Sequence, residues 1–260
     1  MKNKENLVLV HSFPTNSILL RGLILFLKDY FHVYPVDLPG FISSKPPLTS
    51  FSINGMSQYL DDEIKRLNLD HYIVGGISFG FWVLCFASLD TKCVGVFALE
   101  PYIGFRSIKY ERLTVPKRLY YMFVIKLIGI FNLYKKVWRS KYWHKAYNKL
   151  SGYKTKRNKV IFEEMDPETF ARCAYFLLSN IKPARLHDLP TVLLINPNDS
   201  TLDAKYILKF FKKHARHYMI IRTDIGHYPR KVTKTYFKKH LKKKDIKSIY
   251  NFLGSYAPNT

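Results

Sequence analysis

The chain has 260 residues, of which 47% are hydrophobic, and its formal net charge is +23 at pH 7. This length and this hydrophobic content predict one globular domain with a sizeable core, and they exclude a disordered chain. The three cysteines, Cys85, Cys93 and Cys173, are odd in number and lack the spacing of a metal site, so we expect buried, reduced thiols.

The N-terminal part predicts two strands joined by a helix. The polar start of the chain gives way at once to the apolar run 6–10, so we expect a cytoplasmic protein without a signal peptide. The run 6–10 predicts a strand, which leads into the loop His-Ser-Phe-Pro at residues 11–14. A helix over 16–28 and a second strand over 31–36 are expected to follow, before Asp-Leu-Pro-Gly-Phe at residues 37–41.

The most informative motif follows the third predicted strand. After a helix over 52–67 and an apolar run over 71–75, residues 76–80 are Gly-Ile-Ser-Phe-Gly. This pattern is typical of a nucleophile elbow, a sharp strand-to-helix turn that exposes a serine hydroxyl at the top of a sheet. Glycine fits both ends because a larger side chain would collide with the tight backbone. Ser78 is therefore the candidate nucleophile, and a structural serine at the start of a helix over 79–88 is the alternative.

The alternation of strands and helices stops after a strand over 93–99 and resumes at a strand over 191–195. The long segment between them has a helical and basic character. Residues 102–160 contain sixteen Lys and Arg residues but one acidic residue, Glu111, with Tyr and Trp interleaved. Within it, residues 119–133 hold a single charge, Lys126, and are shorter than the roughly 20 residues that span a bilayer.

Two partners for Ser78 follow in the order that an elbow requires, first an acid and then a histidine. The strand over 191–195 runs into Asn-Pro-Asn-Asp, which puts Asp199 just past a carboxyl end, where open α/β sheets keep their sites. A strand over 217–221 precedes the loop that contains His227. Glu100, at the end of the preceding strand, is the alternative acid. Helices over 203–213 and 232–253 complete the chain.

Together these motifs resemble the α/β-hydrolase superfamily, in particular its esterase- and lipase-like serine hydrolases. That family typically shows an H-G-F/W-P loop, D-L-P-G-F/Y-G, G-x-S-x-G, a late aspartate and G-H-x-P. This chain matches the series between residues 11 and 229, with Ser12, Ile42 and Phe81 as departures. The resemblance implies an α/β fold with about six mostly parallel strands and flanking helices. It also implies a core of residues 1–101 and 190–260 with a helical cap of residues 102–189, inserted after the strand that ends near Leu99.

The resemblance implies a serine hydrolase that cleaves a carboxylic ester or thioester through an acyl-enzyme on Ser78. His227 would act as the base, Asp199 as the orienting acid, and the backbone N–H groups of Phe13 and Phe79 as the oxyanion hole. No metal or organic cofactor is expected. The cap aromatics expected to line an acyl pocket are Phe105, Tyr120, Phe123 and Phe131.

Alternatives remain for both the reaction and the partners. The same triad would serve a C–C bond or small-peptide hydrolase, and a non-catalytic binding protein with this fold is a third class. The basic cap is compatible with a solvated surface, an anionic membrane surface that holds the protein peripherally, or an acidic carrier protein such as those that some related carboxylesterases dock. Nucleic acid is the least favoured partner because no recognised binding module is present.

Overall fold

The computed structural model describes residues 4–109, 113–151, 155–179, 185–227 and 232–256. Tyr228 and Pro229, which belong to the last of the predicted motifs, lie outside the described residues. The described chain forms one sheet of six strands, and helices pack on both of its faces.

Strands and helices alternate along the chain, except between the fourth and fifth strands. The strands are β1 (Asn6–Val10), β2 (His32–Val36), β3 (Tyr72–Ile77), β4 (Cys93–Leu99), β5 (Thr191–Ile195) and β6 (Tyr218–Arg222). The helices are α1 (Ser17–Leu27), α2 (Ile53–Leu67), α3 (Phe79–Leu84), α4 (Val115–Ile130), α5 (Tyr134–Trp138), α6 (Lys141–Leu150), α7 (Thr155–Glu164), α8 (Pro167–Ser179), α9 (Ala204–His214), α10 (Lys234–His240) and α11 (Lys243–Gly254). Neighbouring strands are parallel throughout, in the order β2-β1-β3-β4-β5-β6, which confirms the predicted architecture.

The side chains of each strand alternate between two apolar cores, one on each face of the sheet. In β1, Val8 and Val10 pack with α2, α3 and α9, whereas Leu7 and Leu9 pack with α1, α10 and α11. Because helices cover both faces, the central strands β3, β4 and β5 are buried along nearly their whole length, whereas the edge strands β2 and β6 are partly exposed. The carboxyl ends of β3, β5 and β6 meet at one edge, so the residues that follow these strands lie close together.

The C-terminal residues form two helices, so the prediction of one helix over residues 232–253 is wrong. The helix α10 ends before Leu241, which takes an extended conformation and buries its side chain in the core. The carboxylate of Asp245 then accepts a hydrogen bond from the Lys242 N–H at 2.8 Å, and this cap begins α11. Burial of one leucine therefore interrupts a segment whose residues otherwise favour a continuous helix.

Between β4 and β5, the described residues form the five α-helices α4 to α8. The helix α8 attaches this segment to the sheet: the ring of Phe170 lies 5.0 Å from that of Phe13. The Tyr102 hydroxyl also donates to the Leu177 carbonyl at 2.8 Å. In contrast, α4 has no buried residue. Within this segment α8 is thus part of the packed molecule, and α4 lies at its periphery.

Candidate active site

Ser78 lies in a sharp turn between β3 and α3. Its backbone has a φ of 49° and a ψ of −109°, a conformation that residues other than glycine rarely adopt. Gly76 and Gly80 permit the turn. A Cβ atom on Gly76 would lie 2.4 Å from the Cα of Phe81, and one on Gly80 would lie 2.4 Å from the His11 carbonyl oxygen. The turn has the geometry expected of a nucleophile elbow.

Backbone hydrogen bonds hold this strained residue in place. The Ser78 N–H donates to the Leu99 carbonyl at 3.0 Å. The Ser78 carbonyl accepts hydrogen bonds from the N–H groups of Phe81 at 3.1 Å and Tyr102 at 3.3 Å. Backbone strain of this kind costs about 1–3 kcal/mol and persists only where the surrounding structure fixes it. The turn is therefore fixed by β4 and by the chain that leaves it.

The imidazole of His227 lies beside the Ser78 hydroxyl. The Nε2 atom is 3.3 Å from Ser78 Oγ, and the His227 side chain is 6% exposed. His227 lies in the loop after β6, and this loop begins by extending the sheet, because the Thr223 N–H donates to the Ile195 carbonyl at 2.9 Å. Such pairs are often slightly long without substrate and shorten when it binds. A neutral imidazole at this distance is able to accept the hydroxyl proton.

Asp199 lies on the other side of the imidazole. Its Oδ2 atom is 3.7 Å from His227 Nδ1, and its side chain is fully buried. Its Oδ1 atom accepts hydrogen bonds from the N–H groups of Thr201 at 2.6 Å and Leu202 at 2.7 Å. These backbone donors fix the position of the carboxyl group, and an aspartate fixed beside an imidazole orients it and stabilises an imidazolium. The structure thus brings Ser78, His227 and Asp199 together.

Asn196 connects the two loops that carry the acid and the histidine. Its Oδ1 atom accepts a hydrogen bond from the Asn198 N–H at 2.8 Å, and its Nδ2 atom donates to the Ile225 carbonyl at 3.1 Å. The first bond joins the Asn196 side chain to the backbone two residues later, which is a turn that asparagine commonly forms. A turn at this point is therefore predictable from the sequence. The bond to Ile225 joins distant parts of the chain and has no local signal. Asn196 is therefore a positioning residue that the motif pattern misses.

Burial determines the protonation of the candidate base. It lowers the pKa of His227 below the ordinary value of 6.5, and the charge of Asp199 opposes this shift with a smaller effect. The imidazole is therefore neutral at physiological pH, which is the form that accepts a proton.

Glu100, the alternative acid, lies in the same region, but its surroundings favour the protonated, neutral carboxyl group. It is buried, and its Oε1 atom accepts a hydrogen bond from the Asn196 N–H at 2.5 Å. Burial raises the pKa of Glu100 to about 9, repulsion from Asp199 adds to the rise, and the Asn196 hydrogen bond opposes it. Glu100 is therefore neutral at pH 7, and a neutral carboxylic acid stabilises an imidazolium far less than a carboxylate does. This favours Asp199 as the orienting acid.

Replacing Glu100 with glutamine is expected to stabilise the protein at alkaline pH. Between the ordinary pKa of 4.5 and about 9, the unfolded chain releases the Glu100 proton and the native protein keeps it. The free energy of unfolding of the wild type therefore falls as pH rises through this window, by at most about 1.4 kcal/mol per pH unit. Glutamine does not titrate, so the variant does not lose this free energy of unfolding as pH rises. Its amide oxygen can still accept the hydrogen bond from the Asn196 N–H.

Thermal melting at about pH 5, 7 and 9 checks this expectation. The melting temperature of Glu100→Gln minus that of the wild type should increase with pH. The matched control is Glu163→Gln, whose side chain is 58% exposed, and its difference from the wild type should not change. A difference for Glu100→Gln that does not grow with pH would show that this carboxyl is ionised in the native protein.

The two predicted oxyanion donors lie on the segments that flank Ser78. Phe79 is the first residue of α3, Phe13 lies in the loop after β1, and their ring centroids are 6.4 Å apart. Within the described residues, neither backbone N–H donates a hydrogen bond to another protein group. Such N–H groups at a helix start and in the adjacent loop are the donors that an oxyanion hole needs. Ser12 turns its hydroxyl toward Thr15 Oγ1, at 2.9 Å.

A small cavity of about 40 Å³ opens beside Ser78 and His227. Its other polar lining residues are Ser12, Glu100 and Arg157. Its apolar lining consists of core side chains, namely Leu20, Leu23, Ile77, Leu99, Ile225, Val232 and Phe237. Among the described lining residues, Arg157 of α7 alone carries a permanent positive charge. Across the described ranges, no three His, Cys, Asp or Glu side chains cluster as they would around a metal ion.

The cap aromatics do not line this cavity, so that prediction is wrong. Tyr120, Phe123 and Phe131 are 60–65% exposed. The ring of Phe105 instead lies beneath the Arg118 guanidinium, 4.1 Å from the ring centroid to Cζ. The physical reason is the peripheral position of α4, which directs these side chains outward. Neither their outward direction nor the approach of Arg157 to the cavity follows from local sequence pattern.

Comparison with known proteins identifies the fold. No family model matches the chain, and no curated protein matches it. Among solved structures, the chain is similar to a thermophilic esterase from Thermogutta terrifontis, with a TM-score of 0.63, 17% identity, and coverage of 98% of this chain and 92% of the esterase. It is similar to an epoxide hydrolase from Bacillus megaterium, with a TM-score of 0.66, 15% identity, and coverage of 97% and 95%.

A third similar structure is that of the bottromycin epimerase, with a TM-score of 0.61, 14% identity, and coverage of 98% of this chain and 92% of the epimerase. Together with the sheet topology, these similarities show that the chain has the α/β-hydrolase fold. An esterase, an epoxide hydrolase and an epimerase share this fold, so the fold does not determine the reaction. The reaction has to be argued from the site.

Proposed function

We propose that the protein is a serine hydrolase that cleaves carboxylic esters or thioesters. The observation that carries the proposal is the arrangement of Ser78, His227 and Asp199, with an Oγ–Nε2 distance of 3.3 Å and an Nδ1–Oδ2 distance of 3.7 Å. A serine hydroxyl is a weak nucleophile at neutral pH and becomes effective when a base within reach accepts its proton. The elbow conformation of Ser78 and the neutral state of His227 support the same role.

The proposed reaction has two steps. Ser78 Oγ attacks the acyl carbon while His227 Nε2 takes the hydroxyl proton, and the N–H groups of Phe13 and Phe79 stabilise the oxyanion. The intermediate then collapses, the proton passes from His227 to the leaving alcohol or thiol, and the acyl group remains on Ser78. In the second step His227 activates a water molecule, which releases the carboxylic acid. Asp199 orients the imidazole and stabilises its positive charge in both steps.

The cavity lining favours an acyl group that is apolar and carries an anionic substituent. The lining of aliphatic side chains suits an apolar group beside Ser78. Arg157 contributes a positive charge to the lining, and Glu100 is neutral at pH 7. A carboxylate on the acyl chain would pair with the guanidinium. The same charge disfavours an aminopeptidase, because a substrate α-amine needs a carboxylate to hold it.

We assign residues 102–189 the role of a cap over the rest of the chain. Arg157 supports this role because it lines the cavity together with Ser78. Phe170 and Phe176 of α8 support it as well, since their rings contact those of the two residues proposed as oxyanion donors. A cap in this position would exclude water from the reacting acyl group.

The value of kcat/KM for ester hydrolysis is expected to stay high below pH 6.5. His227 acts as a base only when it is neutral, and burial lowers its pKa, so the protonation that stops the reaction occurs below 6.5. The acidic limb of the kcat/KM profile reports this pKa in the free enzyme. A profile measured from about pH 4.5 to 8.5 checks the expectation. An inflection at or above 6.5 would contradict the effect of burial on this histidine.

Hydrolysis of a panel of acyl compounds tests the proposal. The panel contains p-nitrophenyl esters and thioesters of rising acyl chain length. Each neutral ester is paired with the monoester of a dicarboxylic acid of similar length, so the two members of a pair differ by one carboxylate. We expect turnover by the wild type and its loss in His227→Ala. We also expect Arg157→Ala to lose kcat/KM for the dicarboxylic monoesters and to keep it for the neutral esters. A folded wild type that cleaves no ester or thioester in the panel would contradict the proposal and favour the non-catalytic alternative.

A further inference from the structure

The helix α4 presents a stripe of large apolar side chains to solvent. Val115, Leu119, Phe123 and Ile130 are 50–65% exposed. Residues four and seven positions apart lie on the same face of a helix, so these four side chains form one stripe, with Lys126 between its last two members. We call this stripe the α4 face. The opposite side of the helix packs on α8, yet no residue of α4 is buried. Continuous apolar patches on a monomer commonly mark an interaction site.

The chain segment that contains the α4 face is basic. Residues 113–151 contain nine Lys and Arg residues and no Asp or Glu. Eight of the nine are exposed, and none of them forms an ion pair within the described part of the chain. The exposed ones are Lys117, Lys126, Lys135, Lys136, Arg139, Lys141, Lys145 and Lys149. The α4 face is therefore an apolar stripe inside a field of unpaired positive charge.

Exposed aromatic side chains flank the stripe. Tyr120 and Phe131 are 63% and 65% exposed. Tyrosine combines an apolar ring with a polar hydroxyl and is enriched where a membrane meets water. Lys126 lies within the stripe, three residues from Phe123 and four from Ile130, and its long apolar stem allows the ammonium group to reach a polar boundary.

We propose that the α4 face docks on a membrane surface that carries anionic headgroups. A bilayer supplies both features that the face needs, because its acyl region accepts the apolar stripe and its headgroups neutralise the surrounding lysines. A protein partner fits less well, since lysine is depleted from the centres of protein interfaces, whereas Lys126 interrupts this stripe. The helix lies in the interface and does not span it: no helix of the described residues is long and apolar enough to cross a membrane.

Flotation of the purified protein with lipid vesicles tests this proposal. The vesicles contain phosphatidylcholine alone or with about 30 mol% phosphatidylserine. One variant removes the stripe (Leu119→Gln, Phe123→Gln and Ile130→Gln). A second reverses charge beside it (Lys135→Glu, Lys136→Glu and Lys141→Glu). All six positions are exposed, so neither variant removes core packing, and circular dichroism verifies their folding.

Matched controls separate the α4 face from the total charge of +23. The apolar control replaces three exposed residues elsewhere, Ile18→Gln, Leu25→Gln and Phe86→Gln, which are 42–46% exposed. The charge control reverses three exposed lysines of α9, through Lys209→Glu, Lys212→Glu and Lys213→Glu. The two controls should bind vesicles within about twofold of the wild type, since they leave the α4 face intact.

The wild type is expected to bind anionic vesicles at least about tenfold more tightly than neutral ones. The charge-reversal variant should lose at least about tenfold in affinity. The stripe variant should lose the part of the binding that survives about 0.5 M salt, because insertion of apolar side chains is not screened. The proposal is overturned if anionic vesicles do not bind at low salt, or if the α9 control loses as much affinity as the α4 charge variant. It is also overturned if an acidic acyl carrier protein binds through the α4 lysines while vesicles do not.

Discussion

Replacement of Ser78 by alanine is expected to lower kcat for ester hydrolysis by about 10⁶-fold. The Ser78 oxygen is the atom that bonds to the acyl carbon, so its loss removes the acyl-enzyme route. What remains is the contribution of the oxyanion hole and of substrate binding, about 10³–10⁴ over the reaction in water. Steady-state rates on the best ester and the best thioester of the panel, measured at saturating substrate, give this ratio.

The matched control for this substitution is Ser57→Ala, which removes a buried hydroxyl from α2 that does not line the cavity. It should keep the wild-type kcat. Thermal melting of Ser78→Ala verifies that alanine is tolerated at the strained φ of 49°. A folded Ser78→Ala that keeps more than about 1% of the wild-type kcat would rule out Ser78 as the nucleophile, because only a different nucleophile sustains such a rate.

Replacement of Asp199 by asparagine is expected to lower kcat by about 10⁴-fold. Asparagine keeps the size of the side chain but removes the charge that stabilises the imidazolium and selects its tautomer. Glu100→Gln should change kcat by less than about tenfold, because this carboxyl is already neutral at pH 7. The ratio of the two effects, measured on one substrate at pH 7, decides which carboxyl orients His227.

The opposite ratio would contradict the assignment of the acid. If Glu100→Gln lowers kcat by orders of magnitude and Asp199→Asn does not, the carboxyl at the end of β4 is the orienting acid. Both variants keep the volume of the side chain, and the Asp199 oxygen that accepts the Thr201 and Leu202 N–H groups is preserved in asparagine. Loss of activity is thus separable from loss of fold by thermal melting.

Runs of apolar residues in the sequence predict much of the fold, because parallel strands that are buried on both faces consist mainly of apolar residues. The strands over residues 6–10, 93–99 and 191–195 have the bounds that their apolar runs indicate. The elbow, the turn after β5 and the loop after β6 all follow strands, and strand ends of a parallel sheet meet at one edge. The proximity of Ser78, Asp199 and His227 therefore follows from chain order and topology, while their chemical roles stay predictions.

Features that depend on long-range packing do not follow from local pattern. The burial of Leu241 divides the C-terminal helix, although its neighbours favour helix. Phe123 faces solvent because α4 packs only along one side, and an apolar residue in a sequence does not reveal which surface it meets. Arg157 lines the cavity and Asn196 bonds Ile225 across large sequence separations, so no spacing rule identifies them.

Covalent labelling by a fluorophosphonate is the most direct test of an activated Ser78. The reagent phosphonylates serine hydroxyls whose proton is accepted by an adjacent base, and peptide mass spectrometry identifies the labelled residue. We expect one adduct per chain, on the peptide that contains Ser78, absent from Ser78→Ala and strongly slowed in His227→Ala. Labelling of a different residue, or no labelling of the folded wild type, would contradict the proposed mechanism.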